Sequence, residues 1–168
     1  GDPRAPISRW HRALGIDGFV MFSCFGPDTL RELRALYAEL GFGTAMADFI
    51  DMHDIGDMMV HAGFADPVMD MERITLTWET PEATLAELRG LGRNAHPARH
   101  AGLRTPRWKQ RLEQALLDKA GPGERIAMSF ELVYGHAFKP MPRVKMASEA
   151  NVSLADMRAM VRGGTHKE

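Results

Sequence analysis

Cysteine is almost absent from this sequence, which contains only Cys24 among its 168 residues. A single cysteine cannot form an internal disulfide and is typical of a reducing compartment. The sequence also lacks any apolar run of the roughly 20 residues that a membrane helix needs. No secretory signal is visible in the first ten residues, which include two prolines and two arginines. We therefore expect a cytoplasmic protein with no membrane partner.

An initiator methionine is absent as well. The chain opens with Gly1-Asp2-Pro3 and leads almost at once into a helical pattern. We therefore expect a fragment, or a chain whose front has been removed. Hydrophobic residues make up 45% of the sequence and charged residues 26%, which is the profile of a globular protein with a real core.

The net charge of -1 conceals two segments of opposite sign. Asp48–Glu72 contains seven acidic residues and no Lys or Arg, whereas Arg89–Arg111 contains six Arg, one Lys and no acidic residue. Such segregation indicates either two solvated faces or a docking surface for a partner of opposite charge. We expect no nucleic-acid partner, because the chain as a whole is not basic and contains no recognised nucleic-acid motif.

Three segments have the patterns of β-strands. Phe19–Phe25 is a continuous apolar run, which predicts a central strand covered on both faces. Pro67–Trp78 alternates, which predicts a strand with one better-buried face. Arg125–Phe138 also alternates, and its predicted shared face consists of Ile126, Met128, Phe130, Leu132, Tyr134, His136 and Phe138.

Helical patterns occupy the intervals between these strands. Thr29 and Glu32 have the spacing of a capping box, and a proline at the first position begins helices after Thr80 and Thr105. Two further helices are predicted, one ending near Leu14 and one over 52–62.

The element order is therefore helix, strand, helix, helix, strand, two helices, strand and tail. This order predicts an α/β fold in which residues 1–140 form one side of a doubly wound domain. Residues 141–168 are predicted to be a tail with a short helix over Ser153–Arg162.

Three long blocks carry a resemblance to a known family. They are GFVMFSCFGPDTLREL (Gly18–Leu33), DMHDIGDMMVHAGFADPVMDMERITLTW (Asp51–Trp78) and FELVYGHAFKP (Phe130–Pro140). Together they resemble the malonyl-acyl-carrier-protein O-methyltransferases of biotin synthesis, which are class I S-adenosylmethionine-dependent methyltransferases. The resemblance extends from about Arg9 to Pro140.

The resemblance implies the C-terminal, substrate-side half of a Rossmann-like sheet, with about three strands and flanking helices. In the class I pattern the final strand lies antiparallel between the other two. The implied reaction transfers a methyl group from S-adenosylmethionine to the free carboxylate of malonyl-acyl carrier protein. The family's glycine-rich donor loop is absent from this sequence, so we expect the donor-binding half to be missing and the chain alone to be inactive.

Tyr134 and His136 are the predicted catalytic side chains. They share one face near the end of the last strand, and both can donate a hydrogen bond to a carboxylate. The alternative is a tyrosine and a histidine that are satisfied within the core.

The resemblance also implies a substrate-binding loop formed by Phe25, Gly26, Pro27 and Asp28. We expect His53 to approach this loop from the start of a helix. The alternatives are an ordinary strand-to-helix turn for the loop and a capping-region role for His53.

The basic segment has an implied partner, since acyl carrier proteins are acidic and a basic surface would steer and orient them. The predicted docking residues are Arg93, Arg99, Arg104, Arg107 and Arg111.

We predict no metal site. Asp54, Asp57 and His61 share a helical face, but apolar residues occupy the opposite side, so we interpret them as the polar face of an amphipathic helix. Cys24 is interpreted as a buried structural thiol rather than a nucleophile.

Two other functions stay open at this point. One is a non-catalytic binding module that docks an acidic carrier protein, and the other is a class I methyltransferase with another small-molecule acceptor. An exposed strand edge would also favour self-association of the fragment.

Overall fold

A computed structural model describes residues 2–142 and 157–158 of the chain. Between residues 2 and 142, five helices and three strands follow one another in the predicted order. They are α1 (Arg4–Ala13), β1 (Phe19–Phe25), α2 (Arg31–Glu39), α3 (Met52–His61), β2 (Ala65–Trp78), α4 (Pro81–Gly90), α5 (Pro106–Ala120) and β3 (Ile126–Phe138). The predicted tail helix lies outside the described residues except for Met157 and Arg158.

The three strands form one sheet with the order β1-β3-β2. β3 is antiparallel to both neighbours, pairing Phe25 with Leu132 on one side and Trp78 with Ile126 on the other. The last strand in sequence therefore lies in the middle of the sheet. This confirms the predicted α/β fold class, its three strands with flanking helices, and the antiparallel position of the final strand.

Each half of β3 buries a different face. Ile126, Met128 and Phe130 belong to a core cluster that α2 and α5 cover, with helix α4 packed beside them. Val133 and Ala137 belong to a second cluster on the opposite face, against α1 and α3. The predicted shared face of β3 is therefore buried only over its first half, because the covering helices change sides midway along the strand.

β1 is an edge strand within the described residues; one of its faces is covered along the strand, and the other is covered only at Phe25. Val20, Phe22 and Cys24 pack toward α1 and α3, whereas Phe19 and Met21 are 55% and 71% exposed. The prediction that both faces of Phe19–Phe25 are covered was therefore wrong for this chain. An apolar run indicates that a strand can be covered on both faces. Within the described residues, no element covers Phe19 and Met21 on the second face of β1.

The helix starts divide into two kinds. α4 and α5 begin with the predicted prolines, and the hydroxyls of Thr80 and Thr105 cap them by accepting hydrogen bonds from the N–H groups of Ala83 and Trp108. The capping box of Thr29 and Glu32 was wrong, because α2 begins without a side-chain cap.

Glu32 instead joins α2 to the central strand. Its carboxylate accepts hydrogen bonds from the Ser129 hydroxyl at 2.6 Å and from the Ser129 N–H at 2.9 Å. Burial alone would raise the pKa of Glu32, but these hydrogen bonds and the neighbouring Arg31 lower it overall.

No helix in the part of the chain that the structure describes is long and apolar enough to span a bilayer.

Gly135 provides a test of the packing between β1 and β3. A Cβ atom at this position would lie 2.1 Å from the Phe22 ring, which itself packs on Trp10. We expect Gly135→Ala to lower the free energy of unfolding by about 1–3 kcal/mol, because the ring must leave its packed position. Urea unfolding followed by circular dichroism would measure the change.

The matched control is Gly90→Ala at the end of α4, where no atom lies within 4 Å of the added Cβ. Alanine there should be neutral or stabilising by up to about 1 kcal/mol, because it favours the helix. Equal stability of Gly135→Ala and the wild type would contradict the packing described for Phe22.

Glu32 predicts an acid-sensitive contribution to stability. A carboxylate whose pKa is lowered by folding stabilises the native state above its unfolded pKa, and this contribution is lost as the pH falls through the folded value. We expect Glu32→Gln to show a shallower loss of stability between about pH 5 and about pH 3 than the wild type. Unfolding midpoints across this range would measure it, and parallel pH profiles would refute the assignment.

Candidate functional site

The loop after β1 is held by a buried carboxylate on β3. Glu131 is 5% exposed, and its Oε2 accepts a hydrogen bond from the backbone N–H of Asp28 at 2.7 Å. The backbone carbonyl of the same residue accepts the N–H of Gly26 at 2.9 Å. One residue of the central strand therefore fixes both ends of the turn.

Thr29 and Gly26 complete this connection. The Thr29 hydroxyl donates to the Glu131 carbonyl and accepts from the Glu131 N–H, both at 3.1 Å. Gly26 has no space for a side chain, since a Cβ atom there would lie 2.6 Å from the Glu131 carboxyl carbon. A glycine is therefore required by close approach and not by its backbone angles.

Two arginines hold the outer side of the loop. Arg34 on α2 donates to the Pro27 carbonyl, and Arg73 on β2 forms an ion pair with the Asp28 carboxylate. Phe25–Asp28 thus forms a rigid turn whose Asp28 side chain already has a partner. Of these features, only the loop itself was predicted. The role of Glu131 was missed, although an acidic residue between the apolar residues Phe130 and Leu132 is a signal for a buried, bonded carboxylate.

Phe25 separates two cavities at the carboxyl end of β1. Its ring centroid lies 5.6 Å from that of Phe49, and both rings line both cavities. The first cavity, of about 340 Å³, lies toward α2 and α4, and Arg93 and Asn94 contribute to its lining. The second, of about 310 Å³, lies toward α1, and Trp10 and Asp48 contribute to its lining. We call them the α4 cavity and the α1 cavity.

His53 is not part of either cavity lining. It lies in the first turn of α3 with its side chain 79% exposed, and its Nδ1 is 2.7 Å from the carboxylate of the capping residue Asp51. The backbone N–H of His53 and then its ring lower the pKa of Asp51. The position matches the capping-region alternative.

His136 lies away from the Phe25–Asp28 loop, whereas Tyr134 lies opposite Ser23, two residues before Phe25. His136 pairs with Met21 and Tyr134 with Ser23, because β3 runs antiparallel to β1 and its end meets the beginning of β1. His136 contacts Phe138 and Phe19, with ring centroids 4.6 and 5.9 Å apart. The structure therefore does not bring His136 and the loop together.

Tyr134 is 40% exposed and donates a hydrogen bond to the Glu72 carboxylate on β2. This hydrogen bond raises the pKa of Tyr134, with a further contribution from the negative charge. The Tyr134 hydroxyl therefore already donates its proton to a hydrogen bond with Glu72 and has no second proton to donate to a substrate carboxylate.

The predicted docking arginines differ in their environments. Arg104 donates to the Phe42 carbonyl at 2.8 Å and lies over the Trp108 ring at 4.8 Å, and Arg111 lies over the Phe42 ring at 5.1 Å. These two side chains help to hold the 42–49 segment and α5 together. Arg93, Arg99, Arg107 and Arg111 are exposed on the surface, and only Arg104 is half-buried.

In the described part of the chain, no three His, Cys, Asp or Glu side chains form a group that could hold a metal ion. The His61 ring instead contacts the Asp57 carbonyl on its own helix, with Nδ1 and oxygen 2.7 Å apart. Cys24 is partly buried, and burial raises the pKa of its thiol, which disfavours the reactive thiolate.

Comparison with known proteins identifies relatives along most of the chain. No family model matches. A malonyl-[acyl-carrier protein] O-methyltransferase from Laribacter hongkongensis is 44% identical over 142 residues, which are 84% of this chain and 48% of that protein. The enzyme of the same name from Gallionella capsiferriformans is 45% identical over 145 residues, covering 85% and 49%. The family resemblance is confirmed.

The chain spans about half the length of the curated relatives it matches. Among solved structures, a candidate methyltransferase from Bacillus halodurans aligns with a TM-score of 0.48 and 15% identity, covering 83% of this chain and 63% of that one.

The described residues do not fit the methyl donor that the family implies. Every G-x-G pair among them lies at the end of a helix: Gly41 and Gly43 after α2, Gly90 and Gly92 at the end of α4, and Gly121 and Gly123 after α5. The donor loop implied by the family follows a strand. We therefore assign no S-adenosylmethionine contact to these residues.

Glu131 is the residue on which the geometry of the loop should depend. We expect Glu131→Ala to lower the free energy of unfolding by about 1–3 kcal/mol, because the Asp28 N–H loses its acceptor. Hydrogen exchange of the Asp28 amide should accelerate by a larger factor than exchange in α5. Urea unfolding and exchange measured by NMR would check the two effects.

Glu82→Ala on the exposed side of α4 is the matched control and should change stability by less than about 0.5 kcal/mol. Unchanged protection of the Asp28 amide in Glu131→Ala would show that the carboxylate does not hold the loop.

Proposed function

We propose that this chain is the acceptor side of an S-adenosylmethionine-dependent methyltransferase that esterifies the free carboxylate of malonyl-acyl carrier protein. The main support is its 31–45% identity to proteins named for that reaction. The proposal places the enzyme in biotin synthesis and in the cytoplasm. The methyl-donor site would be formed by residues other than those the structure describes.

Methylation of a carboxylate requires little acid–base catalysis from the protein. A malonyl carboxylate is ionised at neutral pH and is already a nucleophile, so the acceptor side has to position it and exclude water. The Phe25–Asp28 turn and the mostly apolar cavities beside it suit that role, because Asp28 is already paired with Arg73 and aromatic and aliphatic side chains surround Phe25. We accordingly assign positioning to the loop and its Glu131 support.

The predicted catalytic role of Tyr134 and His136 receives no support from this geometry. Both lie on a sheet face whose residues Phe19 and Val68 are 55% and 61% exposed. Their catalytic role stays a prediction, and it would require further chain to cover this face and form a site there.

The basic surface supports the proposed partner. Arg93, Arg99 and Arg107 are exposed on a segment without acidic residues, and an acidic carrier protein would be steered by it. Arg104 is half-buried and donates to the Phe42 carbonyl, so we propose that it supports this surface from below. Arg111 is exposed, and we propose that it belongs to the surface while its guanidinium packs over the Phe42 ring.

A second candidate is a binding module that docks the carrier protein without turnover. The specific observation in its favour is the exposed basic surface of Arg93, Arg99 and Arg107, which would attract an acidic carrier protein whether or not turnover follows. A class I methyltransferase that uses a different small acceptor is the third, and a comparison of acceptors would distinguish it.

The direct test is methyl transfer by the protein encoded by the complete gene that contains this chain. With S-adenosylmethionine and malonyl-acyl carrier protein, we expect one methyl ester per carrier, detected by mass spectrometry of the intact carrier protein. Acetyl-acyl carrier protein is the control, because it lacks the free carboxylate.

Turnover on another acceptor with no modification of malonyl-acyl carrier protein would overturn the substrate assignment. Salt-sensitive binding of the carrier protein with no turnover on any acceptor would favour the binding module instead.

A further inference from the structure

The α4 cavity connects two sets of residues that are far apart in sequence. Phe25, at the end of β1, lines it together with Leu33, Phe49, Leu88 and Phe130, and Arg93 from the basic segment also lines it. One cavity thus reaches from the proposed substrate loop to the proposed docking surface.

The wall between these two points is well anchored. The Asn94 side-chain amide donates to the Thr44 carbonyl at 2.9 Å, and His96 Nε2 lies 3.5 Å from the Asp48 carboxylate. Both contacts tie the segment after α4 to the segment before α3. The cavity therefore has walls fixed by side-chain contacts and does not depend on a loose loop.

The chemistry of the lining is divided along the cavity. Aromatic and aliphatic side chains dominate its interior, while Arg93 and Asn94 supply a cation and an amide. At about 340 Å³, it lies within the usual range of small-ligand sites. A ligand that fits this pattern is a flexible chain of alkyl groups interrupted by a few hydrogen-bonding groups, with an anionic group at one end.

The carrier-protein substrate contains such a chain, since its acyl group is attached to a phosphopantetheine arm that ends in a phosphodiester. We propose that the α4 cavity binds this arm, with Arg93 paired to the phosphodiester and the thioester end directed toward Phe25. This inference rests on the proposed carrier-protein substrate, and it adds the site that receives the arm.

The α1 cavity is a poorer match for the same ligand. Its described lining contains no Lys or Arg and includes Asp48, whose charge would repel a phosphodiester. The groove between α1 and α3 contains Arg4 but also Asp54 and Asp57, and it is not adjacent to Phe25. The sign of the charge therefore favours the α4 cavity.

Comparison of apo- and holo-carrier protein tests the proposal, because the two forms differ only in the arm. We expect the wild-type chain to bind the holo form about tenfold more tightly than the apo form, which corresponds to about 1.4 kcal/mol. Isothermal titration calorimetry at fixed salt would measure both affinities. Free phosphopantetheine should compete with the holo form and leave apo binding unchanged.

Two substitutions distinguish binding of the arm from binding of the carrier-protein surface. Ala47→Leu adds volume to the cavity wall and should reduce holo affinity to the apo level, and Arg93→Gln should weaken holo binding more than apo binding. Ala35→Leu, on the exposed side of α2, is the matched control for added volume and should change neither affinity. Arg107→Glu should weaken both forms by the same factor.

Ala95→Leu, at an exposed position of the same lining, provides a second variant whose folding does not depend on core packing. Equal affinity for the apo and holo forms would overturn the arm site while leaving carrier docking intact. So would a tighter binding of the holo form that persists in both Ala47→Leu and Ala95→Leu. Binding of neither form would overturn the proposed partner and the arm site together.

Discussion

The contact between Glu131 and the turn after β1 is the constraint on which the candidate site depends. A carboxylate that is 5% exposed accepts the Asp28 N–H at 2.7 Å, and its own backbone bonds Gly26 and Thr29. Leu30 follows in the left-handed region with φ of 53°, held by its N–H bond to the Ser129 carbonyl. Burying a carboxylate is favourable only when it is well bonded, so the turn and β3 specify each other.

The central position of β3 explains why this contact is possible. Because the last strand lies between the first two, residues about a hundred positions apart become direct neighbours. Its two halves pack against opposite helix layers, which leaves the carboxyl end of β1 between two apolar cavities. The same arrangement places His136 beside Met21, toward the start of β1, because an antiparallel strand finishes where its neighbour begins. Tyr134 lies opposite Ser23, two residues before Phe25.

The misassigned residues share one physical cause. Thr29 and Glu32 have capping-box spacing, yet both side chains bond to β3, since a long-range partner competes with the local N–H groups. Among the predicted docking arginines, Arg104 and Arg111 also pack around Phe42, and their docking role stays a prediction. Local spacing gives the available donors and acceptors, but tertiary neighbours decide which of them are used.

The sequence by itself determined the element order, the strand and helix boundaries to within a few residues, and the resemblance to one methyltransferase family. These follow from periodicity, proline and threonine at helix starts, and long distinctive blocks. Only the tertiary structure decided which face of each strand is covered, that Glu131 holds the loop, and that Phe25 and Arg93 line one cavity. Periodicity is a local property, whereas burial and pairing depend on which distant segment arrives beside each residue.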